Sequence, residues 1–213
     1  MHGLIGKALE CFLEDAHGPG VRTAALSEKG QGASGFRSTR LYPPALLKRA
    51  LLVAAERTGL PPEALLTDLG IWLVSQPRTE PLRRLVRFGG ADYRGLLHSL
   101  ADLPARGRLA VPGLKLPQIV LRDGNPIYHV RTAYPEPGAG FLLAGVLRAM
   151  ADDYGVLALV EHRGGRRSRG GVHVERLRIE VTVEGHSDGR RFDLAPNGVP
   201  RRGTADRVAG TAA

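Results

Sequence analysis

The residues of this chain best suited to chemistry are three histidines, His2, His98 and His129. A neutral imidazole nitrogen is the commonest side-chain ligand for a transition metal. His2 precedes an apolar helical pattern and could swing. His98 lies within a helical stretch. His129 lies in a strand-like run, opposite Tyr128, Val130 and Tyr134 by alternation. The ordinary expectation for each is a solvent-facing or hydrogen-bonded ring, and His98 is the best placed of the three. Asp152 and Asp153 pair two carboxylates at a helix end and read as solvated. Cys11 sits among Leu9, Phe12 and Leu13 and reads as packing. There is no Gly-rich phosphate loop, no His-Glu-x-x-His and no Gly-x-Ser-x-Gly. The chain therefore reads as a non-enzyme.

The elements that must hold these residues follow from periodicity. Leu4, Ile5, Ala8, Cys11, Phe12 and Ala16 predict a helix over Leu4–Asp15, stopped by Gly18-Pro19-Gly20. Ala24–Arg40 shows little periodicity and reads as a loop or frayed helix. Tyr42-Pro43-Pro44 and Pro61-Pro62-Glu63 open two helices, ended at Gly59 and at Gln76-Pro77. Thr79 is expected to cap a further helix that Gly89-Gly90 breaks. Asp92 caps the helix carrying His98, which Pro104 is expected to end at Leu103. Gln118–Leu121 and Ile127–Tyr134 read as strands about an Asp123-Gly124-Asn125 turn. Phe141–Tyr154 reads as a helix and Val156–Glu161 as a strand. Gly164–Gly171 reads as a basic loop and Val172–Val183 as a final strand. From Gly185 the chain is Gly, Pro, Arg and Ala with one apolar patch, Phe192–Leu194, and reads as disordered or as a stub to a partner. The domain is placed at 1–184 and the tail at 185–213.

Several separated stretches resemble the H-NOX family, the heme-nitric oxide/oxygen binding domains. Met1-His-Gly-Leu-Ile-Gly-Lys-Ala-Leu-Glu10 is similar to its first helix. Leu69-Gly70-Ile-Trp72-Leu-Val74 is similar to its Gly-x-x-aromatic-Val helix. Leu85-Val-Arg-Phe-Gly89-Gly90, with Tyr93-Arg-Gly-Leu-Leu-His-Ser-Leu-Ala-Asp102, is similar to its approach to the heme-ligating helix. The pieces run in family order from Met1 to about Glu184. The resemblance implies an α+β fold, an N-terminal helical layer packed on a small antiparallel sheet with helices, and a flat apolar pocket between. It implies heme as cofactor, a diatomic gas as signal, and a histidine kinase or cyclase as partner. Leu4, Ile5, Leu97, Pro117 and Tyr134 fall on pocket positions.

The resemblance also assigns an iron ligand and a propionate clamp. Gap-free alignment of the Leu-Leu-x-x-Leu helix puts the ligand position on Pro104. The Pro104 to Pro117 spacing fits the family's ligand-to-proline spacing. The Tyr-x-Ser-x-Arg clamp falls on Tyr134-Pro-Glu136-Pro-Gly138. Tyr is kept, Ser becomes Glu and Arg becomes Gly, so ordinary heme ligation is not expected. His98, about a third of a turn from Pro104, is the one weak substitute for the metal.

Composition bounds the rest. The 213 residues, 43% of them apolar, suffice for one domain with a core. No run of about 18 apolar residues occurs, so no membrane span is expected. The chain lacks a charged-then-apolar leader, and with its lone Cys11 it is expected in the cytoplasm; the Arg, Ala and Gly bias suits a bacterial source. The formal charge of +9 concentrates in Arg163–Arg169 and Arg190–Arg202 without interleaved aromatics, so nucleic acid is an unlikely partner. Three functions stay open. They are a heme-based sensor domain, a heme-independent interaction module or binder of another flat apolar ligand on the same fold, and a basic nucleic-acid or acidic-protein binder.

Overall fold

The computed structural model describes residues 1–27, 35–183 and 185–189. Helix α1 (Gly3–His17) buries Leu9, Phe12 and Leu13, the positions that helical spacing places on one side. His2 caps it, its Nδ1 accepting from the Leu4 N–H at 3.3 Å. Gly18 breaks the chain, but Pro19 then opens α2 (Pro19–Ser27) rather than a loop. A proline has no N–H to lose in a first turn, so the same residue ends one helix and starts the next. Residues 28–34 of the expected loop lie outside the described residues, as do Phe192–Leu194 and the rest of the tail from 190. Helix α3 (Pro44–Thr58) ends on Gly59 with φ of +70°, as expected for a left-handed cap.

Helix α4 (Pro62–Ser75) joins two apolar centres. Leu65, Leu69 and Trp72 pack with Leu9, Phe12, Leu13, Ala50 and Ala54. Val74 joins the larger centre, built around α8 (Ala139–Tyr154) and the sheet. The α4–α8 crossing is close because two glycines face each other. A Cβ on Gly70 would overlap the Leu142 carbonyl, and one on Gly145 the Thr67 carbonyl. This gives the glycine of the Leu69–Val74 stretch a steric reason.

One buried acid ties the helical layer. Glu10, 1% exposed, accepts from the Arg22 guanidinium and from Phe36 N–H at 3.2 Å, with Lys7 Nζ 3.2 Å away. Burial alone would push its carboxyl up, but Arg22, Lys7 and the Phe36 amide outweigh burial and hold it below the ordinary range. A depressed folded-state value stabilises above the unfolded value and is lost as pH falls through the folded one. Glu10→Gln is therefore expected to cost about 1–3 kcal/mol at neutral pH. The gap to the parent should narrow below about pH 4.3. Urea melts at several pH values check this, and a gap that does not change with pH would contradict it.

Helix α5 (Glu80–Arg87) follows a 3-10 turn at Pro77–Thr79. Thr79 does not cap it; its hydroxyl donates back to Gln76 O at 2.9 Å. Asp92 does cap α6 (Tyr93–Ser99), accepting from Gly95 N–H at 2.7 Å. The helical run then outlasts the expectation. A 3-10 turn at Leu100–Asp102 leads into α7 (Leu103–Ala110), with Pro104 in its first turn, where a missing N–H costs nothing.

The sheet is antiparallel in the order β1-β2-β4-β3, with β1 (Gln118–Arg122), β2 (Ile127–Tyr134), β3 (Leu157–Arg167) and β4 (His173–Val183). The expected basic loop is largely strand: β3 runs to Arg167 past a register shift between His162 and Gly165, and the turn closes by Ser168 N–H to Val172 O at 2.7 Å. Tyr128, Val130, Leu177, Ile179 and Val181 point at α8 and are buried. Among the described residues no helix is long and apolar enough to cross a membrane.

The Asp152-Asp153 pair also departs from expectation. Asp152 is exposed, but Asp153 is buried at 3% exposure and accepts from Arg83 through both Nε and Nη2, the shortest contact 2.7 Å. Arg87 adds a 2.8 Å bond to the same carboxylate. This pair locks α5 against the end of α8.

Candidate functional site

Four segments meet around residues 111–117. The first is the start of α1, where Ile5 is half-buried and Leu4 is 38% exposed. The second is α7 with Pro104, half-buried in its first turn. The third is the 111–117 segment. Its Leu116 packs over Gly107 of α7, where a Cβ would overlap the Leu116 side chain. His2 reaches this segment too, its Cδ2 lying 3.9 Å from where a Cβ on Gly113 would stand. The fourth is Tyr134 at the end of β2, whose hydroxyl donates to Lys115 O at 3.1 Å. The Gln118–Ala133 pairing sets the adjoining Pro117 beside Tyr134. Pro117 and Tyr134 are brought side by side, and the start of α1 reaches the same segment through His2.

Leu97 and His98 sit elsewhere. Leu97 is fully buried in the larger core, among Tyr93, Leu100, Tyr128 and Val130. His98 is half-exposed, its Nε2 3.4 Å from Asp123 Oδ2 and its ring edge-on to Tyr128 at 6.0 Å. Its imidazole looks toward the β1–β2 turn. His129 is exposed on the other face of the sheet. Among the described residues no group of three or more His, Cys, Asp or Glu side chains could hold a metal ion.

The clamp positions carry carboxylates and a bare backbone. The Tyr134 hydroxyl is held above its ordinary range, first by burial and then by the negative charge of Glu136. Gly138 has φ of +104°, in the left-handed region, and a Cβ there would overlap Leu66 of α4. A side chain at this position is therefore both strained and crowded. The amides of Gly138 and Gly140, at the start of α8, donate to Glu175 of β4 at 3.1 and 2.7 Å. Glu175 is buried, and His162 stands 3.6 Å from it, stacked on Phe141 at 3.7 Å. Sequence reasoning missed Glu175, because nothing local in an alternating strand marks one glutamate as the partner of a helix 35 residues away.

Comparisons with known proteins agree with this geometry. The haem-NO-binding family model matches residues 2–154. A Cs H-NOX mutant carrying 4-cyano-L-phenylalanine superposes with a TM-score of 0.73 at 13% identity, covering 86% of this chain and 98% of that one. The I5F mutant of T. Tengcongensis H-NOX gives 0.72 at 13% identity, covering 86% and 99%. An oxygen-binding H-NOX domain described as related to soluble guanylate cyclases gives 0.68 at 14% identity, covering 92% and 100%. No curated protein matches the chain.

Proposed function

The chain belongs to the haem-NO-binding, or H-NOX, family, and from that premise we propose that it is a regulatory domain that works without an iron-ligated heme. The family is known for heme-based gas sensing. The observation that carries the departure is Pro104, which stands in the ligand position of a helical run that continues past it. A proline ring offers no lone pair to iron. The nearest imidazole in the run, His98, faces Asp123 instead.

The clamp supports the same reading. A propionate arriving at Tyr134 would meet Glu136 rather than a donor, a like-charge contact that disfavours it. It would find no arginine at Gly138, and the α8 amides already serve Glu175. The residues present do not fit a heme held by histidine and clamped by its carboxylates. The function that fits is coupling to a protein partner, of the histidine-kinase or cyclase class that the family likeness suggests, with no gas relayed through heme. The partly exposed apolar side chains of Leu4 and Ile5 favour a second reading, that the slot takes another flat, neutral apolar molecule.

Hemin added to the purified chain tests this. The expected spectrum lacks a sharp Soret band after gel filtration, and His98→Ala leaves it unchanged. A retained Soret band that His98→Ala abolishes would make His98 an axial ligand and overturn the proposal.

A further inference from the structure

Among the described residues no helix covers the outer face of the sheet, and that face is rich in arginine. Arg122 of β1, Arg131 of β2, Arg176 of β4 and Arg166 of β3 are all exposed and point away from α8, since their strand neighbours Tyr128, Val130, Leu177 and Ile179 point toward it. Arg131 and Arg176 are directly opposed in the β2–β4 register. Like charges at directly opposite positions destabilise a sheet. None of the four has a carboxylate partner among the described residues. The neighbouring Arg178, by contrast, is paired with both Glu180 at 2.7 Å and Glu161 at 3.2 Å. The fold thus neutralises one arginine on this face and leaves four free at a cost.

We propose that this sheet face, centred on Arg131 and Arg176, is the docking surface for an acidic segment of a partner protein. Guanidinium groups fork onto carboxylates, and a buried or half-buried contact of that kind would repay the repulsion built into the free face. One feature favours a protein over a nucleic acid. Apolar side chains are set among the arginines, with Val120 42% and Leu159 53% exposed, while no Phe, Tyr or Trp among the described residues of this face is offered for base stacking. The partner segment is therefore acidic with interspersed apolar side chains. The inference rests on the reading that the chain acts through a protein partner. It is tested separately, because hemin reports on the slot and the assay below on the sheet.

The assay is fluorescence anisotropy of the full chain with a labelled peptide alternating glutamate and leucine, and with a labelled DNA duplex of mixed sequence. The double variant Arg131→Glu/Arg176→Glu is expected to weaken peptide binding about tenfold or more. The double variant Arg57→Glu/Arg108→Glu makes the same change in net charge away from the sheet and is expected to leave binding within about twofold. Arg131→Thr/Arg176→Thr should also weaken binding while its melting temperature equals or exceeds the parent's. The proposal is overturned by no peptide binding in the parent, by equal losses in the two charge-reversal pairs, or by a duplex bound more tightly than the peptide.

Discussion

Asp153→Ala is expected to destabilise the protein by about 3–5 kcal/mol, the cost of breaking a buried ion pair by removing one partner. The carboxylate is 3% exposed and is reached within 3.0 Å by Nε–H of Arg83, shared between both oxygens, by Nη2 of Arg83 and by Nη1 of Arg87. Without it Arg83, itself buried, keeps only Glu80 at 3.2 Å. Burial alone would push the Arg83 guanidinium down, but its bonds to Asp153 and Glu80 hold it above its ordinary range. The charge therefore stays on and is left undercompensated rather than shed. Asp153→Asn should cost less, because an amide oxygen still accepts one of those bonds. Arg83→Met/Asp153→Leu should recover much of the loss, since an apolar pair of similar volume removes both charges together. Urea melts of the four proteins decide it, and an Asp153→Ala loss under about 1 kcal/mol would mean the pair is solvated as the sequence alone suggests.

The same variant should reach the candidate slot. Tyr154, next to Asp153, donates to Gly90 O at 2.7 Å, and its ring carries the Arg87 guanidinium at 4.3 Å. Tyr93 at the head of α6 donates to Leu147 O of α8 at 3.0 Å. These contacts tie the head of α6, the element that leads to α7 and Pro104, to α8.

What the residues disclosed in advance was local; what they concealed depends on partners far along the chain. The hairpin was readable because Asp123-Gly124-Asn125 can do little but turn. Helix α4 was readable because two prolines and a glutamate open it and its apolar side repeats at helical spacing. The α2 helix was not, because Gly18-Pro19-Gly20 carries the same letters whether it ends a helix or joins two. The strand nature of Gly164–Arg167 was hidden for a related reason. Two glycines and several arginines have low strand propensity, and only pairing with Val174 and Glu175 makes them β. Asp153 looked solvated because its arginine lies 70 residues away. At the slot, the place of Pro104 is what the family resemblance implies, and the continuation of the helix beyond it was not legible. A proline forbids a helical interior and is welcome one turn later in a new one.

Pro104→His is the substitution expected to change function most, raising hemin affinity by on the order of a hundredfold, near 2.8 kcal/mol at 1.4 kcal/mol per decade. Pro104 already sits in the first turn of α7, three residues before the Gly107 that carries Leu116. A histidine there would lie on the same helical side, toward the 111–117 segment. Losing the proline costs stability of only about 0.4–1 kcal/mol through the freer unfolded chain. Glu136→Ser should add to the gain by removing the charge beside Tyr134. Gly138→Arg should not, although it would complete the clamp by residue type. Its backbone at φ of +104° and the Leu66 side chain against it leave no room for a Cβ, so that variant should melt lower instead. A Soret band in Pro104→His that is absent from the parent, sharpened by Glu136→Ser and accompanied by a melt lowered by no more than about 1 kcal/mol, is the expected result. If Pro104→His and Pro104→His/Glu136→Ser both fold yet gain no band, neither the missing imidazole nor the Glu136 charge is what keeps heme out, and the proposed chemical barrier is wrong.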